Sequence, residues 1–128
     1  MAHIGATGTD EQDAIVFGYG EGKYALIAAA IRTTTSQEAT VFGTDGRIRL
    51  HPSFWQGGRI SVAKSGEEEK IIEDSKIGNG YNYEAVEVCR CLREGLLESP
   101  VMSLDETIRI LETLDKLRAQ WGLKYPSE

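Results

Sequence analysis

Glu38-Ala39-Thr40-Val41-Phe42-Gly43-Thr44-Asp45-Gly46-Arg47-Ile48-Arg49-Leu50-His51 reads as two short strands joined by a tight turn. Asp45-Gly46 supplies the positive φ that such a turn demands, and Arg47 to His51 alternates strictly, which predicts Ile48 and Leu50 facing inward and the arginines outward. A connection this short joins antiparallel neighbours, since parallel strands need a long crossover. Upstream, Ala14 to Tyr19 alternates as well, and Gly20-Glu21-Gly22 leads into Lys23 to Thr34, a second hairpin. Downstream, Gly58 to Lys64 and Lys70 to Ile72 complete a meander of about five or six mostly antiparallel strands between residues 11 and 72.

From Asn82 the apolar period changes to 3.6. Ala85, Val88, Cys89, Leu92 and Leu96 share one face of a helix that stops near Gly95. A second helix is announced by Ser103 and Glu106, which have capping-box spacing. It carries the stripe Leu104, Ile108, Leu111, Leu114, Leu117 and Trp121, and Gly122 stands where a C-terminal cap belongs. The expected fold is therefore α+β: an open, mostly antiparallel sheet with two C-terminal helices packed on one face, in a single domain spanning 1–128 with a real core. Both faces of the strand from Tyr24 to Arg32 are apolar, with Ala25, Ile27, Ala29 and Ile31 on one side and Leu26, Ala28 and Ala30 on the other. Two helices cover one side only, so the second side predicts another covering surface, most simply a second copy of the protein stacked sheet on sheet.

Composition narrows the function classes. The protein has 128 residues and a net charge of −6. Its basic residues are scattered, so it has no electrostatic footprint for nucleic acid. The longest strictly apolar run, Tyr24 to Ile31, falls far short of the roughly 20 residues that span a bilayer. The first residues lack the basic and apolar regions of an export signal, which sets the expectation of a cytoplasmic protein. Cys89 and Cys91, two apart on a helix, diverge too far to bridge each other, and reduced thiols suit that compartment.

Candidate chemistry is sparse. Gly18-Tyr19-Gly20-Glu21-Gly22-Lys23 has neither P-loop nor dinucleotide-loop spacing and reads as a hairpin turn. His3 and His51 have no metal-ligand spacing around them, and no G-x-S-x-G elbow is present. No catalytic residue, metal ligand or cofactor ligand is assigned. Phe54-Trp55, in a loop between strands, is either a plug for the core or a wall of a cleft. Lys76-Ile77-Gly78-Asn79-Gly80-Tyr81-Asn82-Tyr83 combines glycine freedom, two phenols and two amides ahead of a helix, with Asn79 or Asn82 as its cap.

The last third, Gly78-Asn79-Gly80-Tyr81-Asn82-Tyr83-Glu84-Ala85, Glu87 to Gly95, Glu98-Ser99-Pro100-Val101 onward and Trp121-Gly122-Leu123-Lys124-Tyr125-Pro126, resembles the C-terminal domain of the Gfo/Idh/MocA oxidoreductases. Gly8 to Gln12, Gln37 to Ile48 and Phe54-Trp55 extend the resemblance over nearly the whole length, nearest to the dimeric dihydrodiol dehydrogenase-like branch. Ser103 stands where such sequences often carry Pro, and it caps a helix equally well. The resemblance implies a substrate-side and dimerisation domain of an NAD- or NADP-dependent dehydrogenase. In such enzymes the cofactor and the catalytic Lys and His belong to other parts of the polypeptide. The Glu-Lys-Pro motif finds no match here, and the histidine-bearing helix would precede Met1. The expectation is hence a chain that binds no cofactor and transfers no hydride by itself. By the same resemblance, Ile77, Asn79 and Tyr81 fall on the substrate cleft, and Leu26, Ala28 and Ala30 on a homodimer face. Two rival readings differ in class: a stand-alone homodimeric scaffold or sugar-like ligand-binding module, and one half of a split enzyme whose nucleotide-binding Rossmann domain is a separate polypeptide.

Overall fold

The computed structural model describes residues 1–125; Pro126, which closes the resemblance, lies outside them. The protein divides into two compact units, one formed by Met1–Thr35 with the segment from Pro100 onward, the other by Ser36–Ser99.

The first unit holds a three-stranded antiparallel sheet in the order β1 (Ala2–Ile4), β2 (Asp10–Gly18), β3 (Tyr24–Ala30). The glycine-rich stretch between β2 and β3 is the hairpin turn its spacing predicts, closed by Tyr19 N–H to the Lys23 carbonyl and Lys23 N–H to the Gly20 carbonyl, each 2.9 Å. The register sets Ile15 opposite Ile27 and Val16 opposite Leu26. Alternation then gives one face to Ile15, Phe17, Ala25 and Ile27, and the other to Ala14, Val16, Leu26 and Ala28. The outer edge of β3 has no strand partner among the described residues.

A single helix, α2 (Leu104–Trp121), completes this unit. Its start is fixed by Ser103, whose Oγ accepts the Glu106 amide at 3.2 Å, half of the predicted capping box; the Glu106 carboxylate instead meets Arg109. Its end is the expected Gly122, at φ 68°, with Leu123 N–H donating back to the Arg118 carbonyl and the Leu123 side group buried. Only a left-handed residue turns the backbone this way, and glycine does so without a Cβ clash. A trough of about 770 Å3 lies along α2 and the β2–β3 ladder, lined by Ile15, Phe17, Ile27, Thr113, Leu117 and Trp121 and reached also by Val16, Leu26 and Ala28 of the other face.

The second unit is a four-stranded antiparallel meander, β4 (Ala39–Gly43), β5 (Gly46–Leu50), β6 (Arg59–Lys64) and β7 (Lys70–Glu73), with a short 3-10 turn at Phe54–Gln56 and α1 (Tyr81–Glu94). The β4–β5 turn needs its glycine twice over. Gly46 has φ 155°, and a Cβ on it would stand 2.2 Å from the Ala63 carbonyl oxygen. α1 ends at Gly95, again left-handed, where Leu96 N–H bonds the Cys91 carbonyl at 2.9 Å.

The α+β class, the antiparallel pairing and the two helices agree with the sequence pattern. The arrangement is finer than expected: among the described residues seven strands fall in two sheets, of three and four, and each unit holds one helix. β1 is too short to show alternation, and 31–38, rich in Thr and Ser, makes no ladder between β3 and β4.

Two packing expectations are corrected. Ile48 is 44% exposed while Arg49 is half-buried, because Glu38 binds that guanidinium at 2.6 and 3.0 Å and so compensates its burial. Among the described residues Cys91 and Leu123 are the only buried hydrophobic residues, with Ser61 the one buried polar residue. The predicted stripe of α2 remains open, with Leu104, Ile108, Leu111 and Leu114 all about half exposed or more. An amphipathic helix or sheet buries its apolar face only against a second layer, and within these units that layer is incomplete.

Candidate functional site

The loop that leads into α1 gathers most of the polar chemistry of the second unit. Gly80, at φ 96°, is the residue before the helix, and it has no side group to cap with. The predicted cap is met differently: the Asn79 Oδ1 accepts the Tyr81 amide at 3.3 Å, satisfying one of the four amides that a helix start leaves open. Asn82 is inside the helix. The Tyr83 hydroxyl turns back to accept the Ile77 amide at 3.0 Å, and the Lys76 Nζ donates to the Gln56 Oε1, tying the loop to the 3-10 turn.

These contacts frame a groove of about 460 Å3 lined by Trp55, Gln56, Lys76, Asn79, Gly80, Tyr81, Tyr83 and Glu84. The lining mixes aromatic rings with amide, ammonium and carboxylate groups, a combination suited to a polar ligand with apolar faces. Trp55 is 60% exposed and Tyr81 70%, so both rings are free to contact such a ligand. Phe54 holds Trp55 from behind, edge to face at 5.3 Å between centroids, and its amide is anchored on the Gln37 carbonyl at 3.0 Å.

Of the three residues the resemblance put on a cleft, Asn79 and Tyr81 line this groove. Ile77 does not; it is 69% exposed outside the lining and its backbone serves the loop. Lys76 and Glu84 belong to stretches that the sequence singles out without assigning them to the cleft, and Gln56, which carries no signal there, is brought in by the 3-10 turn. In the first unit, Leu26 is 80% exposed, Ala28 is exposed and Ala30 half-buried, and Val16 joins them on that face at 68%.

A second polar cluster lies at the far end of α1. Glu87 accepts two bonds from Arg90, at 2.7 and 2.8 Å, and one from the Ser99 hydroxyl at 2.6 Å, while Arg90 also reaches Glu94 at 2.6 Å. The Arg90 bonds, followed by that from Ser99, hold the Glu87 carboxyl down at about 2, and the Arg90 guanidinium is raised in turn by Glu87. Burial pushes the neighbouring Cys91 thiol up, with its bond to Glu87 acting in the same direction. A buried thiol shifted in this direction is a poor nucleophile. Each histidine has its own partner. His51 Nε2 is 2.6 Å from the buried Ser61 hydroxyl, and His3 is 4.0 Å from Glu11. Among the described residues no group of three or more His, Cys, Asp or Glu could hold a metal ion, and no helix is long and apolar enough to cross a membrane.

The class of molecule defined so far is an α+β protein with a polar, aromatic-walled groove beside a helix start. Its relatives are specific. The sequence is 33% identical over 127 residues to trans-1,2-dihydrobenzene-1,2-diol dehydrogenase of Xenopus tropicalis, an alignment that takes in 94% of this chain and 38% of that protein. It is 32% identical to the enzyme of that name from Xenopus laevis and 28% identical to the human one, with the same 38% share. It thus spans a little over a third of the length of the curated relatives it matches. No protein-family model matches it.

Proposed function

We propose that this protein is the substrate-side and dimerisation domain of an NAD- or NADP-dependent dehydrogenase of the Gfo/Idh/MocA type, acting in the cytoplasm, with hydride chemistry carried by a nucleotide-binding part of the full-length protein. The observation that carries the reading is the groove at the start of α1, in a sequence similar over nearly its whole length to one portion of the dihydrodiol dehydrogenases. The glycine-rich stretch turns a hairpin instead of opening a helix, which leaves phosphate binding to residues elsewhere. The role of this domain is to orient the substrate: Trp55 and Tyr81 offer ring faces, and Asn79, Gln56 and Lys76 offer hydrogen bonds to its hydroxyl groups.

A chimera tests this. Replacing the matching portion of the Xenopus tropicalis enzyme with residues 1–128 gives a protein that oxidises trans-1,2-dihydrobenzene-1,2-diol, and Tyr81→Ala or Asn79→Ala in it lowers kcat/KM about tenfold or more, near 1.4 kcal/mol each. A folded, cofactor-binding chimera with no activity, or variants without effect, overturns the reading.

The open face of β2 and β3, with Leu26, Ala28 and Ala30, supports self-association, since exposed apolar patches of this kind mark interaction surfaces. Under this proposal Ala28→Glu abolishes a homodimer and leaves a folded monomer, while Ala29→Glu, on the face of Ile15 and Phe17, loosens the unit itself. Light scattering that gives unchanged mass for both folded variants refutes the dimer face. A monomeric parent would favour the split enzyme, with the face reserved for a separate partner.

A further inference from the structure

We propose that Asn79 is a site of spontaneous deamidation, a covalent modification that converts a neutral wall residue of the groove to an acid. Asn79 is followed by Gly80, and both residues line the groove. The reaction begins when the backbone nitrogen of residue 80 attacks Cγ of Asn79. A new C–N bond closes a five-membered succinimide, the bond from Cγ to Nδ2 breaks, and the amide nitrogen leaves as ammonia, carrying the proton given up by the backbone nitrogen. Water then opens the ring at either carbonyl, so that amide plus water becomes carboxylic acid plus ammonia, with the backbone running through either aspartate or isoaspartate.

Three features of the structure favour the ring closure. Glycine presents no side group to the approaching carbon, and a Cβ placed on Gly80 would meet nothing within 4 Å, so the space around the attacking atom is open. Gly80 is in the left-handed region at φ 96° in a loop, free of the ladder bonds that hold a strand rigid. The Asn79 Oδ1 already accepts the Tyr81 amide at 3.3 Å, which draws electron density from the carbon under attack. The product is also accommodated: a carboxylate at position 79 sits before the positive end of the 14-residue α1. Asn82, the only other asparagine, is an internal control. It lies in α1, and the bulky Tyr83 follows it.

The consequence for ligand binding rests on the substrate-side reading of the groove, whereas the chemistry does not. An acid at 79 places a charge three residues from Lys76 and replaces the donor end of the amide, so an aged groove loses a donor toward ligand hydroxyls.

The test uses the purified 128-residue chain, incubated folded at mildly alkaline pH, with samples digested by trypsin over time. Asn79 and Asn82 fall on the same peptide, 77–90, and fragment ions separate them. The expected result is progressive loss of the Asn79 amide, with aspartate and isoaspartate forms resolved chromatographically, while the Asn82 amide is retained. Asn79→Gln abolishes the conversion, and its circular dichroism confirms an intact fold. Equal conversion at both asparagines, or conversion at Asn79 only after unfolding in urea, overturns the proposal. Since no ligand enters the assay, its failure leaves the substrate-side reading intact, and failure of the chimera leaves this one intact.

Discussion

The two units solve opposite problems with the same kinds of element. The unit of β4–β7 and α1 is bound internally by polar contacts: Arg49 on Glu38, His51 on Ser61, Arg90 and Ser99 on Glu87, Lys76 on Gln56. The unit of β1–β3 and α2 has chiefly apolar faces to offer, Val16 and Leu26 on the sheet and the Leu104–Leu114 stripe on the helix, and much of that surface is exposed. Polar networks fix positions, which a binding groove requires. Apolar faces fix nothing until something covers them, which is what an association surface requires. The polar networks are thus concentrated in the second unit, while both units leave apolar surface open, Phe42 and Leu92 of the second included.

The severest challenge to this division is at a backbone contact of the polar unit. Gly46→Val drives a side group into the Ala63 carbonyl and costs roughly 3 kcal/mol or more, read as a fall in the urea midpoint. Leu123→Ala tests whether the apolar unit has any anchored core; with Leu123 only 6% exposed, about 2–3 kcal/mol is expected, read the same way. A smaller loss follows acidification. Glu87 titrates near 4.5 when unfolded and about 2 when folded, so its contribution is complete above pH 4.5 and disappears as pH falls through about 2. Amide exchange in the last turns of α1 should accelerate across that window, and Glu87→Gln should abolish the pH dependence. Ser103→Ala removes one cap bond and costs about 1 kcal/mol, again as a shift of the urea midpoint. Leu26→Ser should change the stability of the monomer by no more than about 0.5 kcal/mol, and its whole effect should appear in solution mass. A large destabilisation there would show that the exposed face is already in use within the monomer.

Local signals were legible in the sequence. Glycines at 46, 95 and 122, Ser103 ahead of Glu106, and the change of period at Asn82 each act over a few residues, and each marks the element boundary expected. The partition into two sheets was not legible, because strand alternation records which side of a strand is apolar but not which strand lies next to it. The same limit explains Arg49. Its outward assignment followed from alternation alone, while its partner Glu38 comes from the segment leading into the neighbouring strand. The family resemblance puts Asn79 and Tyr81 forward, on a stretch, Lys76 to Tyr83, that unusual local composition singles out, and both line the groove. Gln56 meets that stretch only through folding and carries no local mark.

The outer edge of β3, which has no strand partner among the described residues, has a practical consequence. Tyr24 to Ala30 contains no lysine, proline or other charge to discourage an incoming strand, and its only gatekeepers, Lys23 and Arg32, stand beyond its ends. Such an edge templates further strands. The expected outcome is that concentrated preparations grow by β-addition at this edge and that Ala28→Lys keeps them clear, as turbidity would read.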